Sequence, residues 1–349
     1  MAMPERDEAS VLTPDTRAML HRAGAPWLAP LRQRIAAMQG QGRLAHGHLL
    51  SGPPGAGQTE LGVWIAARLL CREQGADACG QCADCRPFLA GSHPDFFWIG
   101  VAPDKKDISV DQMRALTAAA SLRSYRGGPK IAVIAPAEAM NIHSFNALLK
   151  TLEEPSSDTY LVLPTSRIER IPRTIASRCM RLRVPLPTSA EALAWLNGVE
   201  SRNDWPELLE LASGASFLAE DYAREGLDGL DEEMRQMIVS AQEGRLDLVG
   251  CAEACAKQAP AARLVWLEFW LTRSLKEAAL ASDLVNNNRL PWLRPPGIET
   301  KIRAGYRLLD QLREARRQVG GPLNTQLLFE GLLVSVTALV GQPRGKAGE

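Results

Sequence analysis

The chain has 349 residues, 46% of them hydrophobic, with 40 basic and 40 acidic side chains that cancel. That length supports two or three domains with a substantial core, and the charge balance excludes a global field that would draw the chain onto nucleic acid or an anionic membrane. Residues 1–20 carry charges where a signal peptide needs an apolar run, no stretch approaches a membrane span, and four of the seven cysteines crowd into residues 71–85, so a metal site in a reducing, cytoplasmic compartment is expected and not a disulfide framework.

Residues 1–24 are polar, contain Pro4 and Pro14, and are expected to form a loose extension. From 25 to 187, strand-like and helix-like segments alternate, with candidate strands at 48–50, 96–99, 130–135, 160–164 and 179–184. Ser109 with Gln112 makes a capping box ahead of the apolar spacing Val110, Met113, Leu116. The run from 144 to 154 puts Phe145, Leu148, Leu149 and Leu152 on one helical face, and Pro155 stops it. This alternation predicts an α/β fold with a doubly wound parallel sheet. After Pro185 and Pro187 the texture is helical only. Residues 188–228 suit a small bundle broken at Gly214, and 229–345 suit longer helices with stripes such as Leu264, Trp266, Leu267, Trp270 and Leu328, Leu332, Val336, Leu339. A Pro-rich loop is expected at 290–297 and a frayed tail at 341–349.

Directly after the first candidate strand, GPPGAGQT at 52–59 follows the phosphate-loop pattern G-x-x-x-x-G-K-[ST] in every respect but one. Gly52, Gly55, Gly57 and Thr59 are in place, but Gln58 stands where the lysine belongs. An amide donates a hydrogen bond without neutralising charge on a phosphoryl group in transfer. A working site also needs acids at the end of a neighbouring strand; after Ile134 this chain has Ala135 and Pro136, and Glu138 comes two residues late. With both elements gone, hydrolysis is not expected. The loop reads as a packing turn, with residual nucleotide binding as the alternative.

Cys71, Cys79, Cys82 and Cys85 have spacings that let successive thiolates curl around one tetrahedral zinc ion. Four protein ligands leave no position for water, so the site is expected to be structural. Cys251 and Cys255 lie at i, i+4 without a partner pair and read as ordinary buried cysteines. Residues 165–183 hold six arginines and one acid, a pattern open to a solvated face, a phosphate-contacting strip, or a guanidinium that reaches a neighbour's phosphate. The five histidines share no spacing and receive no catalytic role.

With GRLAHGHLLSGPPGAG at 42–57, Pro26 and Trp27, the four cysteines, SFNALLKTLEEP at 144–155 and SRC at 177–179, all in order, the chain resembles the delta-prime subunits of bacterial DNA polymerase III clamp loaders, a branch of the AAA+ proteins. The resemblance is carried by motifs over 25–185 and only by texture beyond. It implies a spiral, pentameric assembly with gamma/tau motor subunits and a delta subunit, which opens a sliding clamp and places it on primer-template DNA. It implies a stator that does not hydrolyse ATP, a lid over 188–228, a collar over 229–345, and Arg178 as an arginine finger reaching into an adjacent motor's site. Residues 214–219 lack the arginine that an AAA+ lid usually supplies. The other functions to weigh are a motor ATPase of the same complex and a free-standing AAA+ remodelling protein or zinc-bearing nucleic-acid adaptor; neither accounts for a retained SRC beside a degenerate loop.

Overall fold

A computed structural model describes residues 15–73, 75–103, 105–155, 158–225, 229–280, 298–319 and 323–341. The expected Pro-rich loop at 290–297, the tail from 342 and residues 1–14 lie outside these. Two compact units result: the chain up to Leu209 with Gly214–Glu220, and Glu210–Ser213 with the chain from Asp221 onward.

The first unit opens with α1 (Thr16–Ala23) and α2 (Ala29–Gly40), then β1 (Gly47–Ser51), α3 (Gln58–Leu70), α4 (Cys85–Leu89), β2 (Phe96–Ile99), α5 (Val110–Ser121), β3 (Lys130–Ile134), α6 (Ile142–Glu153), β4 (Thr159–Thr165), α7 (Arg173–Ala176) and β5 (Met180–Arg183). Helices α8 (Ser189–Val199), α9 (Trp205–Leu211) and α10 (Ser216–Arg224) follow, and the division between the units runs through α9 and α10. The five strands form one parallel sheet in the order β2-β3-β4-β1-β5. Successive residues face opposite sides. Leu50, Ile131, Val133, Val162 and Leu182 pack with α1 to α4 on one face, while Leu49, Ala132, Ile134, Leu161 and Leu163 pack with α5 to α7 on the other. Burial on both faces is why these strands read as nearly continuous apolar runs.

The helices begin where their caps sit. Ser109 accepts from Gln112 N at 3.2 Å and Gln112 Oε1 accepts from Ser109 N at 2.9 Å, closing the expected box at α5. Asn141 accepts from Ser144 N to start α6, which buries Phe145, Leu148 and Leu152. One expectation is overturned: residues 16–23 are not part of a loose extension but form α1. Asp15 accepts from Arg17 N and Ala18 N as its N-cap, Thr16 donates to the carbonyl of Leu89 at 3.4 Å, and Arg22 pairs with Glu220 at 3.0 Å. Capping and long-range pairing stabilise a polar segment that its own hydrophobicity would not.

The second unit is helical: α11 (Leu230–Gln242), α12 (Leu248–Lys257), α13 (Pro260–Leu280), α14 (Ile298–Gln318) and α15 (Thr325–Val340). Buried Arg263 on α13 donates to both oxygens of Glu233 on α11 at 2.8 Å, and Trp266 Nε1 donates to Asp231 at 2.8 Å. On α15 the core residues are Phe329, Leu332, Leu333, Val336, Leu339 and Val340, so Phe329 fills the position expected of Leu328. Cys255 is buried on α12 and Cys251 half-buried. Among the described residues no helix is long and apolar enough to cross a membrane.

His48 lies in β1 between β4 and β5 and is fully buried. Burial lowers its pKa from 6.5 to about 4, with nearby His46 adding to the depression. The folded-state value lies below the unfolded one, so the neutral ring stabilises the fold fully above pH 6.5. That contribution drains away as the pH falls towards 4, by about 3 kcal/mol in total. His48→Leu should therefore lose less stability than the parent in denaturant titrations between pH 6.5 and 5. Parallel pH dependence of the two proteins would refute a buried neutral His48.

Candidate functional site

The degenerate phosphate loop joins β1 to α3, where a glycine-rich turn can direct backbone N–H groups at an anion. Gly55 and Gly57 adopt φ of +73° and +111°, the left-handed region that a loop of this kind requires. Side chains from elsewhere in the chain pack against the glycines of this turn. A Cβ on Gly55 would lie 2.5 Å from Leu218 Cβ and 2.7 Å from Leu218 N. One on Gly57 would lie 2.9 Å from both Leu28 Cδ1 and Phe217 Cε2. A Cβ on Gly52 would meet the Val184 carbonyl at 2.8 Å. Phe217 and Leu218, at the start of α10, thus press onto the loop. Around them Trp27 donates through Nε1 to the Ala56 carbonyl at 3.0 Å, and the rings of Trp27 and Trp195 stand 5.1 and 5.9 Å from that of Phe217. Arg22 lies over the same phenyl ring at 5.3 Å.

Gln58 is buried at the first position of α3, and its amide turns back into the loop, donating to the carbonyls of Gly52 at 3.3 Å and Pro53 at 3.2 Å. Its donor capacity serves the loop's own backbone, not an outside phosphate. Thr59 follows it, half-buried. At the end of β3, Ala135 is buried and apolar, and Glu138 Oε1 accepts from Ser166 N at 3.0 Å and from Ser166 Oγ at 2.6 Å, just past β4. The one nearby carboxylate is engaged in tying two strand ends together.

Arg178 sits between α7 and β5, with its side chain 36% exposed. Nη1 donates to the Thr174 carbonyl at 2.9 Å, and Nη2 pairs with Glu153 Oε1 at 2.6 Å. Its backbone lies beside the start of β1: a Cβ on Gly47 would meet the Arg178 carbonyl at 3.3 Å. The phosphate loop leaves the other end of that same strand. At about 3.3 Å per residue the two are roughly 15 Å apart along β1. Arg178 therefore stands at the wrong end of its sheet to serve its own loop.

Cys71 ends α3 and Cys85 opens α4; with Cys79 and Cys82 their sulfurs all lie within 4.8 Å of one another, and this cluster could hold a metal ion. Cys79 and Cys85 Sγ are 3.9 Å apart, against about 3.8 Å for two sulfurs on a tetrahedral ion with 2.3 Å bonds. Backbone N–H groups point at the sulfurs: Cys79 N donates to Cys71 Sγ at 3.3 Å, Cys82 N to Cys79 Sγ at 3.3 Å and Cys85 N to Cys82 Sγ at 3.4 Å. Such donors favour thiolates, but burial wins at Cys71 and Cys85 and pushes their thiols up. Burial opposes ionisation of Cys82, but the N–H groups of Arg72, Cys85 and Asp84 outweigh it and bring the thiol down to about 6.

Three features of these sites escape the sequence reading. It registers the missing arginine at 214–219 without showing that Phe217 and Leu218 close the loop. It overlooks Asp84, a buried carboxylate between two of the cysteines that takes Arg126 at 2.7 Å and also Arg72, so that the cysteine turn is tied to the segment before β3. It also overlooks Glu153, although a carboxylate on the last residue of a helix, where the dipole disfavours it, is a signal that can be read in the sequence.

Gly55→Ala meets two penalties at once, a left-handed backbone and the Leu218 contact, and should destabilise the first unit by about 2–4 kcal/mol. Calorimetry would register this as a drop of roughly 5–15 °C in its midpoint. Gly127 has a similar φ of +72° with nothing within 4 Å, so Gly127→Ala carries the backbone penalty alone. Equal losses in the two variants would refute a tight contact between Gly55 and Leu218.

A family model described as DNA polymerase III, delta subunit, matches residues 29–187. The chain is similar to the DNA polymerase III subunit delta' of Pseudomonas aeruginosa, 34% identical over 331 residues that span 90% of this chain and 98% of that one. The delta' subunit of Yersinia pestis is 32% identical over 90% of this chain and 96% of its own length, and that of Escherichia coli 29% identical over 89% and 94%. Similarity that runs through both units, beyond the span of the shared loop and cysteine motifs, makes this chain a member of the DNA polymerase III delta' family.

Proposed function

We propose that the chain is a stator-type delta-prime subunit of a DNA polymerase III clamp loader, a non-catalytic component of the holoenzyme that works in the bacterial cytoplasm. The observation that carries this reading is the loop itself: the Gln58 amide is bonded to the loop's own carbonyls and brings no charge for a phosphate, and Leu218, Phe217 and Leu28 pack against its glycines. A degenerate AAA+ domain over 25–187, a lid over 188–228 and a collar over 229–345 are the layout this role calls for. Its partners are gamma/tau motor subunits and a delta subunit, with the sliding clamp and primer-template DNA engaged through the assembly.

Arg178 is the residue through which a subunit without its own turnover acts on hydrolysis. A guanidinium held at the sheet end away from the home loop, half-exposed and fixed through both Nη1 and Nη2, fits a finger that meets the phosphate of a neighbouring motor subunit. The four cysteines hold zinc in a structural site: the donor set is all sulfur, the spacing suits a tetrahedral ion, and the backbone donors favour thiolates. The ion would staple the turn between α3 and α4, with no part in hydrolysis.

Reconstituted clamp loader carrying Arg178→Ala should assemble normally and lose part of its clamp- and DNA-stimulated ATPase. At the single site this chain borders, the loss would approach the 10³–10⁵-fold typical of arginine fingers, about that order, with the other motor sites diluting it in the bulk rate. Unchanged hydrolysis and clamp loading would end the finger reading and leave the scaffold role standing.

Freshly reduced protein should carry about one zinc ion per chain, with sulfur coordination visible by X-ray absorption, and Cys82→Ser should lower both metal content and thermal midpoint. Metal-free protein of unchanged stability would exclude the site.

A further inference from the structure

Helix α6 ends on Glu153, and a carboxylate there faces the negative end of its own helix dipole. What offsets that placement is Arg178, whose Nη2 meets Glu153 Oε1 at 2.6 Å. The other fork of the same guanidinium is held by its own short helix: Nη1 donates to the Thr174 carbonyl at 2.9 Å and to Ser177 Oγ at 3.4 Å. The backbones on either side are locked as well. A Cβ on Gly47 would meet Leu152 Cδ2 at 2.9 Å, Cys179 Sγ at 3.2 Å and the Arg178 carbonyl at 3.3 Å, so the end of α6, the start of β1 and residues 178–179 form one close-packed corner. The residues flanking the ion pair cannot shift without disturbing that corner.

We propose that Glu153 is a positioning residue for the Arg178 finger: its carboxylate, with the Thr174 carbonyl, fixes the guanidinium in the rotamer that presents Nε and the remaining Nη2 hydrogen to a phosphate of the adjacent subunit. This rests on the finger reading above. An arginine side chain free in solvent samples many rotamers, and each contact that removes alternatives raises the fraction poised to act. The pair is half-exposed on both sides, 36% for Arg178 and 48% for Glu153, which keeps it weak enough to admit a phosphate oxygen beside the carboxylate or in place of it. A bidentate edge of Nε and Nη2 suits such an oxygen pair.

The test is a double-mutant cycle in the reconstituted clamp loader with Glu153→Gln, Arg178→Ala and both together, measuring clamp- and DNA-stimulated ATPase. The finger-dependent component is the parent rate minus the Arg178→Ala rate. Glu153→Gln should lower that component roughly two- to five-fold, the size expected of an exposed ion pair. The loss should fall on kcat with the KM for ATP unchanged, because the finger acts on the transition state. Glu153→Asp, which keeps the charge on a shorter arm, should recover part of it. In the Arg178→Ala background Glu153→Gln should have no further effect. Thermal melting of the isolated chain, unchanged between Glu153→Gln and parent, separates this from a folding defect. An Arg178→Ala effect with no Glu153→Gln effect, or the same Glu153→Gln loss in both backgrounds, would overturn the positioning role alone. If Arg178→Ala itself changes nothing, the finger reading falls first and this inference with it.

Discussion

Leu218 and Phe217 press against Gly55 and Gly57 so closely that a single added methyl at either glycine would clash, and the rest of the first unit is arranged around that contact. A phosphate loop functions by holding N–H groups around an empty cradle. Here the same glycines make close packing contacts with Leu218, Phe217 and Leu28. Phe217 joins Trp27 and Trp195 in an aromatic cluster and lies beneath Arg22, which in turn pairs with Glu60 and Glu220. One apolar insertion thereby ties α1, the loop, α3 and α10 together.

Parallel strands give the sheet two chemically different ends. The loop leaves the carboxyl end of β1, and Arg178 enters β5 beside the amino end of β1. The separation follows from strand length alone, and it divides the tasks of the unit. At one end the glycine-rich turn packs against Leu28, Phe217 and Leu218. At the other a half-exposed cation, Arg178, is held by a helix carbonyl and a carboxylate.

The cysteine turn is a third, separately stabilised piece. Its sulfurs converge with backbone donors aimed at them, and Asp84 binds it to the body of the domain through Arg72 and Arg126. Asp95 holds the same segment by accepting from Ser124 Oγ and from the N–H groups of Tyr125 and Arg126. Burial raises the pKa of Asp84, but the hydrogen bonds from Arg72 and Arg126 outweigh it and keep the carboxyl below its ordinary range. The turn is thus anchored to the segment before β3 through Asp84 and Arg126.

Much of this was legible in the residues themselves. Alternation of apolar segments specified a parallel sheet because strands buried on both faces must be apolar throughout, and the capping box at Ser109 and the stripe on α6 marked helices by rules that act within a few residues. The missing lysine and acids, the four cysteines and SRC were equally local, and each is a statement about composition at a fixed spacing. The structure alone decided what depends on contacts distant in sequence. That residues 16–23 fold as α1 rests on partners near 88 and 220; that the loop is closed rests on residue 218 reaching residue 55; that Arg178 is held rests on Glu153 and on the strand polarity that keeps it from its own loop. Spacing rules describe the chain over one helical turn or one strand. Which side chain fills a glycine's empty space, or neutralises a carboxylate at the wrong end of a helix, is settled only when the sheet brings those segments together.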